Sequence, residues 1–277
     1  MCVSVSWWLE AAVRLIAPGF VKKPPQEERR RTARMLVDTR DSLLQCLRDL
    51  ETCMSAKDAV AAIDCEGVNL CRHGKLCTLQ IRCRDGAQTY VIDVVTLTSD
   101  AFSISLESGF SIKSMLEDRD SLKLLFDPRN DSDALYHQFG VFPQNVFCLQ
   151  LAEVAHRRAT GKVVNYVMGL DKMIRGAVKM SAEKLAHLAE VKNQGKRLFA
   201  PEVGGSYEVW VNRPLCAELV EYAACDVEYL IDAYDYFLSV LNGDWVRRVR
   251  EASVVRVEFC LGKAYSKGRH MAVAPQF

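Results

Sequence analysis

One run of the chain has no charge and no polar alternation: Ala59-Val60-Ala61-Ala62-Ile63, followed at once by Asp64-Cys65-Glu66. An apolar run of that length without alternation reads as a strand covered on both faces. Such a strand needs layers above and below it, so it restricts the chain to a sheet packed between helices. In a strand, residues two apart point to the same side, so Asp64 and Glu66 project together from its end. Two like charges held side by side are costly unless a cation or a proton comes between them.

The surrounding pattern fits an α/β fold with a mixed sheet flanked by helices. Residues 1–34 read as an N-terminal helix and charged linker, with Pro24-Pro25 and Arg29-Arg30-Arg31 in the linker. A compact domain is expected over 35–241. It opens with a short strand at Met35–Val37, and Asp38 or Thr39 can cap the helix that carries Leu43, Leu44, Leu47 and Leu50. After the Ala59–Cys65 strand come strands at Leu76–Cys83 and Thr89–Val95, joined by the turn Arg84-Asp85-Gly86-Ala87. A helix near Ile112–Glu117, a strand at Ser121–Phe126, a helix at Asp131–Phe139 and a strand at Val146-Phe147 follow. Helices dominate from Leu149 to Val191, a strand is hinted at Tyr207-Val209-Trp210, and one long helix spans Pro214 to Leu241. Residues 242–277 read as a loose basic tail.

The net charge of +1 gives no global basic field, so contact with nucleic acid would need a local patch. The 11 cysteines lack paired short spacings, which favours a reducing, intracellular compartment over a disulfide framework. Cys71, Cys77 and Cys83 recur every six residues beside His73, but even spacing on a hairpin simply repeats one face, and zinc is not expected. No membrane span is expected: the apolar stretch Val3 to Phe20 is broken by Glu10, Arg14 and Pro18. Trp8, Ala11, Ala12 and Leu15 fall at helical spacing there, and a helix packing on its own domain is preferred to membrane docking.

Two further acids lie on apolar stripes. Asp131 shares a helix face with Leu135 and Phe139, and Asp226 falls among Leu219, Ala223, Val227, Leu230, Tyr234 and Phe237. Tyr222, one turn before Asp226, projects from nearly the same angle. Buried carboxylates pair or bind metal, and no comparable Lys or Arg cluster is read on these stripes. Oxygen ligands without imidazole or thiolate partners favour Mg²⁺ or Mn²⁺. Two such ions about 3.5–4 Å apart make an in-line phosphodiester hydrolysis site. The Tyr222 phenol would align the attacking water. Asp93, Asp127 and Asp133 also lie near element ends and are read as caps or solvated, hydrogen-bonded neighbours.

The order strand-borne Asp-x-Glu, helix-borne Asp, then Tyr-x-x-x-Asp resembles the DEDDy subclass of DnaQ-like 3′-5′ exonucleases. The motifs stand at Asp64-Cys65-Glu66, at Asp131 within Arg129-Asn130-Asp131-Ser132-Asp133-Ala134-Leu135, and at Tyr222-Ala223-Ala224-Cys225-Asp226. Trp210-Val211-Asn212-Arg213-Pro214-Leu215 is similar to the RNase D group, and Asn145 to Gln150 to the exonuclease 3′-5′ domain-containing group, which includes Egalitarian-type RNA-binding proteins. The resemblance covers residues 35–240. It implies an RNase H-like fold, with Asp64, Glu66 and Asp226 on one metal, Asp64 and Asp131 reaching a second, and Tyr222 orienting water. Two positions depart from the family pattern: Phe126 stands where a histidine is common, and Cys148 where an aspartate is common. Neither is a ligand position. The expected activity is metal-dependent removal of nucleotides from a free 3′ end, with RNA favoured over DNA by analogy. Lys179, Lys192, Lys196 and Arg197 are candidate phosphate contacts or simply a solvated face. Tyr207 or Trp210 would stack on a base, with Trp210 the better core residue. The alternative is a catalytically silent RNA-binding adaptor on the same fold. Protein partners are not legible.

Overall fold

The computed structural model describes residues 33–265 and 268–277, so the N-terminal helix and most of the linker lie outside the described residues. Six strands form one sheet: β1 (Ala33–Val37), β2 (Val60–Val68), β3 (Lys75–Cys83), β4 (Gln88–Asp93), β5 (Leu122–Leu125) and β6 (Val146–Cys148), in the order β1-β4-β3-β2-β5-β6. β3 runs antiparallel to both β2 and β4, while β1–β4, β2–β5 and β5–β6 are parallel. The helices, in chain order, are α1 (Arg40–Met54), the single turns α2 (Val94–Leu97) and α3 (Asp100–Ser103), α4 (Ile112–Glu117), α5 (Arg129–Phe139), α6 (Leu149–Ala159), α7 (Leu170–Ala177), α8 (Ala182–Phe199), α9 (Ala217–Glu228), α10 (Leu230–Val240) and α11 (Gly243–Val257). The expected mixed sheet between helical layers is present.

β2 is buried as its sequence requires, and its two faces serve different layers. Ala61, Ile63 and Cys65 pack with Leu43, Leu47 and Leu50 of α1 and with Leu135 of α5. Val60 and Ala62 pack on the other side with Phe147, Leu151, Leu230 and Phe237. Asp64 and Glu66 continue the second face. Thr39 caps α1: its hydroxyl accepts from the Ser42 amide, and its own backbone N–H donates to the Ser42 hydroxyl in return, a reciprocal capping box.

Three local expectations are corrected. Tyr207–Trp210 is a 3₁₀ turn, not a strand: Ser206 caps it by accepting from the Glu208 amide, so an aromatic and β-branched run is held by a local hydrogen bond. The long helix from Pro214 is two helices, broken at Tyr229, whose ψ of 4° leaves the helical range. The loose tail is instead led by α11, fifteen residues long, whose Asn242 cap accepts from the Trp245 amide and whose Val249, Ser253 and Val257 are buried.

Candidate active site

Strand lengths expose the first two acids. β5 pairs with β2 only over Val60–Ala62, whereas β3 stays paired as far as Val68. The end of β2 therefore overhangs β5, and Asp64 and Glu66 stand in the gap. A β-bulge follows directly: Glu66 faces Thr78 while Gly67 faces Leu76, leaving Cys77 as the extra residue. Gly67 is obligatory there, since a Cβ would sit 2.0 Å from the Lys75 carbonyl oxygen.

Two helices converge on the gap. After β5, Asp127 adopts a left-handed φ of 59° and turns the chain into α5, with Asp131 in its first turn. Arg129 holds that turn with two 2.6 Å bonds to the Asp127 carboxylate. On the other side α9 brings Tyr222 and Asp226, both buried. Asp64, Glu66 and Asp226 each offer a carboxylate oxygen within 4.8 Å of the others. Asp131 stands beside this trio rather than in it; α5 packs against the opposite face of the sheet and enters the gap by its end.

The electrostatics follow from this crowding. Burial, then the Asp226 charge, lifts the Asp64 carboxyl well above its usual range, and burial, then Asp64 and Asp226, does the same to Glu66. Asp131 is raised by burial and by Asp64. The Tyr222 phenol is pushed up by burial and then by its acidic neighbours Asp226, Glu66 and Asp64. Asp226 is raised by burial, and Oδ2 of its carboxylate is a buried atom without a hydrogen-bond partner. A bare buried carboxylate oxygen on a residue grouped with two other acids fits a hard cation, and every donor in the trio is oxygen.

The other Asp226 oxygen corrects the sequence reading. Lys192 of α8 is buried, and its ammonium donates to Asp226 Oδ1. The same Nζ lies 3.9 Å from the centroid of the Tyr222 ring. Lys192, read as a phosphate contact or part of a solvated face, is instead a buried cation brought to the acids from a third helix. Its signal was present in the sequence: Leu188, Lys192, Gly195 and Phe199 recur at helical spacing, so Lys192 lies on the buried stripe of its helix. Gly195 lets α8 approach, since a Cβ there would meet Tyr222 Cδ2 at 2.4 Å. Phe199 and Trp210 meet the same ring edge-on, at 5.0 and 6.2 Å.

The remaining candidates fall outside the cluster. Asp93 caps α2 through the Thr96 amide and hydroxyl and binds Arg213. Asp133 is fully buried rather than solvated, accepting from the Arg72 amide and guanidinium. Cys148, at one of the departures, meets the Arg256 guanidinium at 3.2 Å. The bulge turns Cys77 toward the Trp210 and Tyr222 layer while Cys83 faces the α1 layer, so the regular cysteine spacing does not repeat one face. Lys179, Lys196 and Arg197 are exposed, Tyr207 is exposed on the rim, and Trp210 is core. Among the described residues no helix is long and apolar enough to cross a membrane.

Residues 36–242 match the family model of the 3′-5′ exonuclease domain. The piRNA biogenesis protein EXD1 of Mus musculus is 32% identical over 210 residues, covering 73% of this chain and 34% of that protein. Its Homo sapiens counterpart is 31% identical, covering 73% and 38%. The chain thus spans little more than a third of the length of these curated relatives. Among solved structures, the complex of Trypanosoma brucei RNase D with RNA U12 superposes with a TM-score of 0.65 at 25% identity, covering 86% of this chain and 74% of that one. Brucella melitensis NrnC with bound Mg²⁺ shares the fold at a TM-score of 0.55 and 21% identity, covering 83% and 92%. The mixed sheet and its flanking helices are those of the RNase D, RNase H-like fold.

Proposed function

The chain belongs to the 3′-5′ exonuclease family, and from that premise we propose that it is a divalent-metal-dependent exonuclease of the DEDDy type acting on the 3′ end of RNA. The observation that carries the reading is the meeting of Asp64, Glu66 and Asp226 from a strand and a distant helix, with the Tyr222 phenol beside them. Asp64, Glu66 and Asp226 would hold one Mg²⁺ or Mn²⁺, and Asp131 with Asp64 a second. Divalent metal held by these residues would lower the pKa of the attacking water and offset charge on the leaving 3′-oxygen. Tyr222 fixes the direction of attack: its ring is wedged between Gly195, Phe199 and Trp210, so its hydroxyl is held in one place to orient the water. Lys196 and Arg197, exposed at the end of α8, are available to the phosphate backbone, and Tyr207 on the rim to a base.

RNA is favoured over DNA because the T. brucei match is itself bound to RNA and the curated relatives are named for piRNA biogenesis. The described cysteines are all unbridged, which supports a reducing, intracellular compartment.

The test is direct. Single-stranded RNA and DNA of one sequence, labelled at the 5′ end, are incubated with the protein and Mn²⁺, with and without EDTA. The expected result is an EDTA-sensitive ladder that shortens from the 3′ end, faster on RNA. Asp64→Ala and Asp226→Ala should abolish it while circular dichroism stays native. Tyr222→Phe should slow it by about 10²-fold, the scale of losing one aligned hydrogen bond in a reaction site. Retention of RNA without shortening would replace this reading with that of an RNA-binding adaptor.

A further inference from the structure

Lys192 is not used by the mechanism above, yet it touches both residues of the third motif. Its Nζ donates to Asp226 Oδ1 and stands 3.9 Å from the Tyr222 ring centroid. Lysine is seldom buried without a partner, and Lys192 retains only 8% of its exposure. The close approach that delivers it is built in: Gly195, three residues on, leaves no Cβ between α8 and the tyrosine.

We propose that Lys192 is a resident cation of the acid cluster, competing with divalent metal for Asp226 and thereby setting the metal concentration at which the site loads; this rests on the reading of Asp226 as a metal ligand.

Two roles with opposite consequences are open to a lysine in this position. As an outer partner it would orient the carboxylate, and removing such partners typically weakens metal binding by about 10–100-fold. As a competitor it would repel the metal, and its removal would tighten binding. The geometry favours the second. Lys192 contacts a ligand's oxygen directly with a full positive charge, and repulsion scales with the product of that charge and the dication's. The carboxylates here need little orienting from a lysine: Asp64 and Glu66 are fixed by the β2–β3 ladder, and Asp226 lies within a buried helical stretch from Tyr222 to Val227. The lysine also has somewhere to go. Its stem is a flexible four-carbon chain, and the Tyr222 face offers the ammonium a second favourable contact as it leaves the carboxylate.

The proposal is tested by calorimetric titration of the metal-stripped full chain with Mn²⁺, comparing wild type with Lys192→Met, Lys192→Gln and Lys192→Arg. The two neutral variants should bind Mn²⁺ at least about tenfold more tightly, the scale set by removing one like charge at contact range. Lys192→Arg keeps the charge and should stay within about threefold of wild type on the same argument. Two neutral side chains guard against one of them failing to fold, which circular dichroism would reveal. Equal or weaker Mn²⁺ binding in the folded neutral variants would overturn the proposal. The labelled-RNA assay on wild type separates the two readings. Tightened binding with no 3′ ladder removes the nuclease and keeps the competing lysine. A ladder with unchanged binding does the reverse.

Discussion

Asp226 has one oxygen engaged and one bare. Oδ1 takes the Lys192 ammonium and Oδ2 is buried with no partner. An unmet buried polar atom costs about 1–3 kcal/mol, more when it is charged. The cost appears as proton affinity: Asp64, Glu66 and Asp131 are all held well above the usual carboxylate range, first by burial and then by a neighbouring acid, Asp226 for Asp64, and Asp64 for Glu66 and Asp131. The sign follows from linkage. A carboxyl raised in the folded state binds its proton more tightly there than in the unfolded chain. Stability from these groups is therefore present below the ordinary carboxylate range, near pH 4, and is lost as pH rises from there through the raised folded values. Bound metal removes the proton's advantage. Melting temperatures measured in EDTA and in saturating Mg²⁺ should therefore separate increasingly as pH rises above about 4. Parallel curves would mean that the acids do not meet. At this scale the sequence was largely legible. Asp64, Glu66, Asp226 and Tyr222 declared themselves because each is a polar group at a position whose periodicity demands burial. Lys192 obeys the same rule, yet a lysine among other basic residues on a helix reads as a phosphate contact or a solvated face.

The close contact of α8 with α9 is the element-level feature on which the site depends. Gly195 leaves room for the Tyr222 ring, and a methyl there would lie 2.4 Å from Cδ2 and 2.7 Å from Cβ of the tyrosine. Neither atom is the far end of a flexible chain, so Gly195→Ala must displace the ring or part the helices. Overpacking of this kind costs about 1–3 kcal/mol. Urea denaturation should show that loss, and the labelled-RNA assay a fall in turnover as the phenol shifts. A double-mutant cycle identifies the cause: in a Tyr222→Ala background the Cδ2 and Cγ contacts are gone while the 2.7 Å Cβ contact remains, so part, though not all, of the Gly195→Ala penalty should vanish. An additive penalty would place the strain elsewhere. This contact is not legible from residue order alone, because a glycine inside a helix announces only a weak helix position. The Cys77 bulge was hidden for a related reason: regular cysteine spacing promises one face, and a single extra residue reverses it. Elements with a cap or a clear stripe were read well, α4 at its observed bounds Ile112–Glu117 among them.

Taken as a whole, the molecule does not stop where the motif pattern stops. The matched family domain ends at residue 242, and the sequence suggested a domain over 35–241 followed by a loose tail. Residues beyond 242 instead brace the elements that build the site. Ser253 of α11 accepts from the Cys148 amide at the end of β6, 2.9 Å away. Arg256 reaches Asp127, the left-handed residue that turns β5 into α5, and also bonds Gln150. Past the helix, the Cys260 carbonyl receives the Arg72 guanidinium and contacts His137, both of which also engage Asp133 on the helix that carries Asp131. Removing this segment would strip Val249 and Val257 from the core and leave the Cys148 amide and Arg72 short of partners. A buried valine contributes about 1.5 kcal/mol or more, and each orphaned buried group costs about 1–3 kcal/mol. Against the 5–15 kcal/mol typical of a whole fold, that sum is decisive. A chain ending at Asn242 should therefore lose its cooperative thermal transition or melt far below the full chain, and should not shorten RNA. Circular dichroism melts and limited proteolysis of the two chains side by side measure this. A truncated chain that melted within a few degrees of the full one would return α11 to the status of an appendage. It would also detach the second motif from the brace that runs through Asp127 and Asp133 to Asp131.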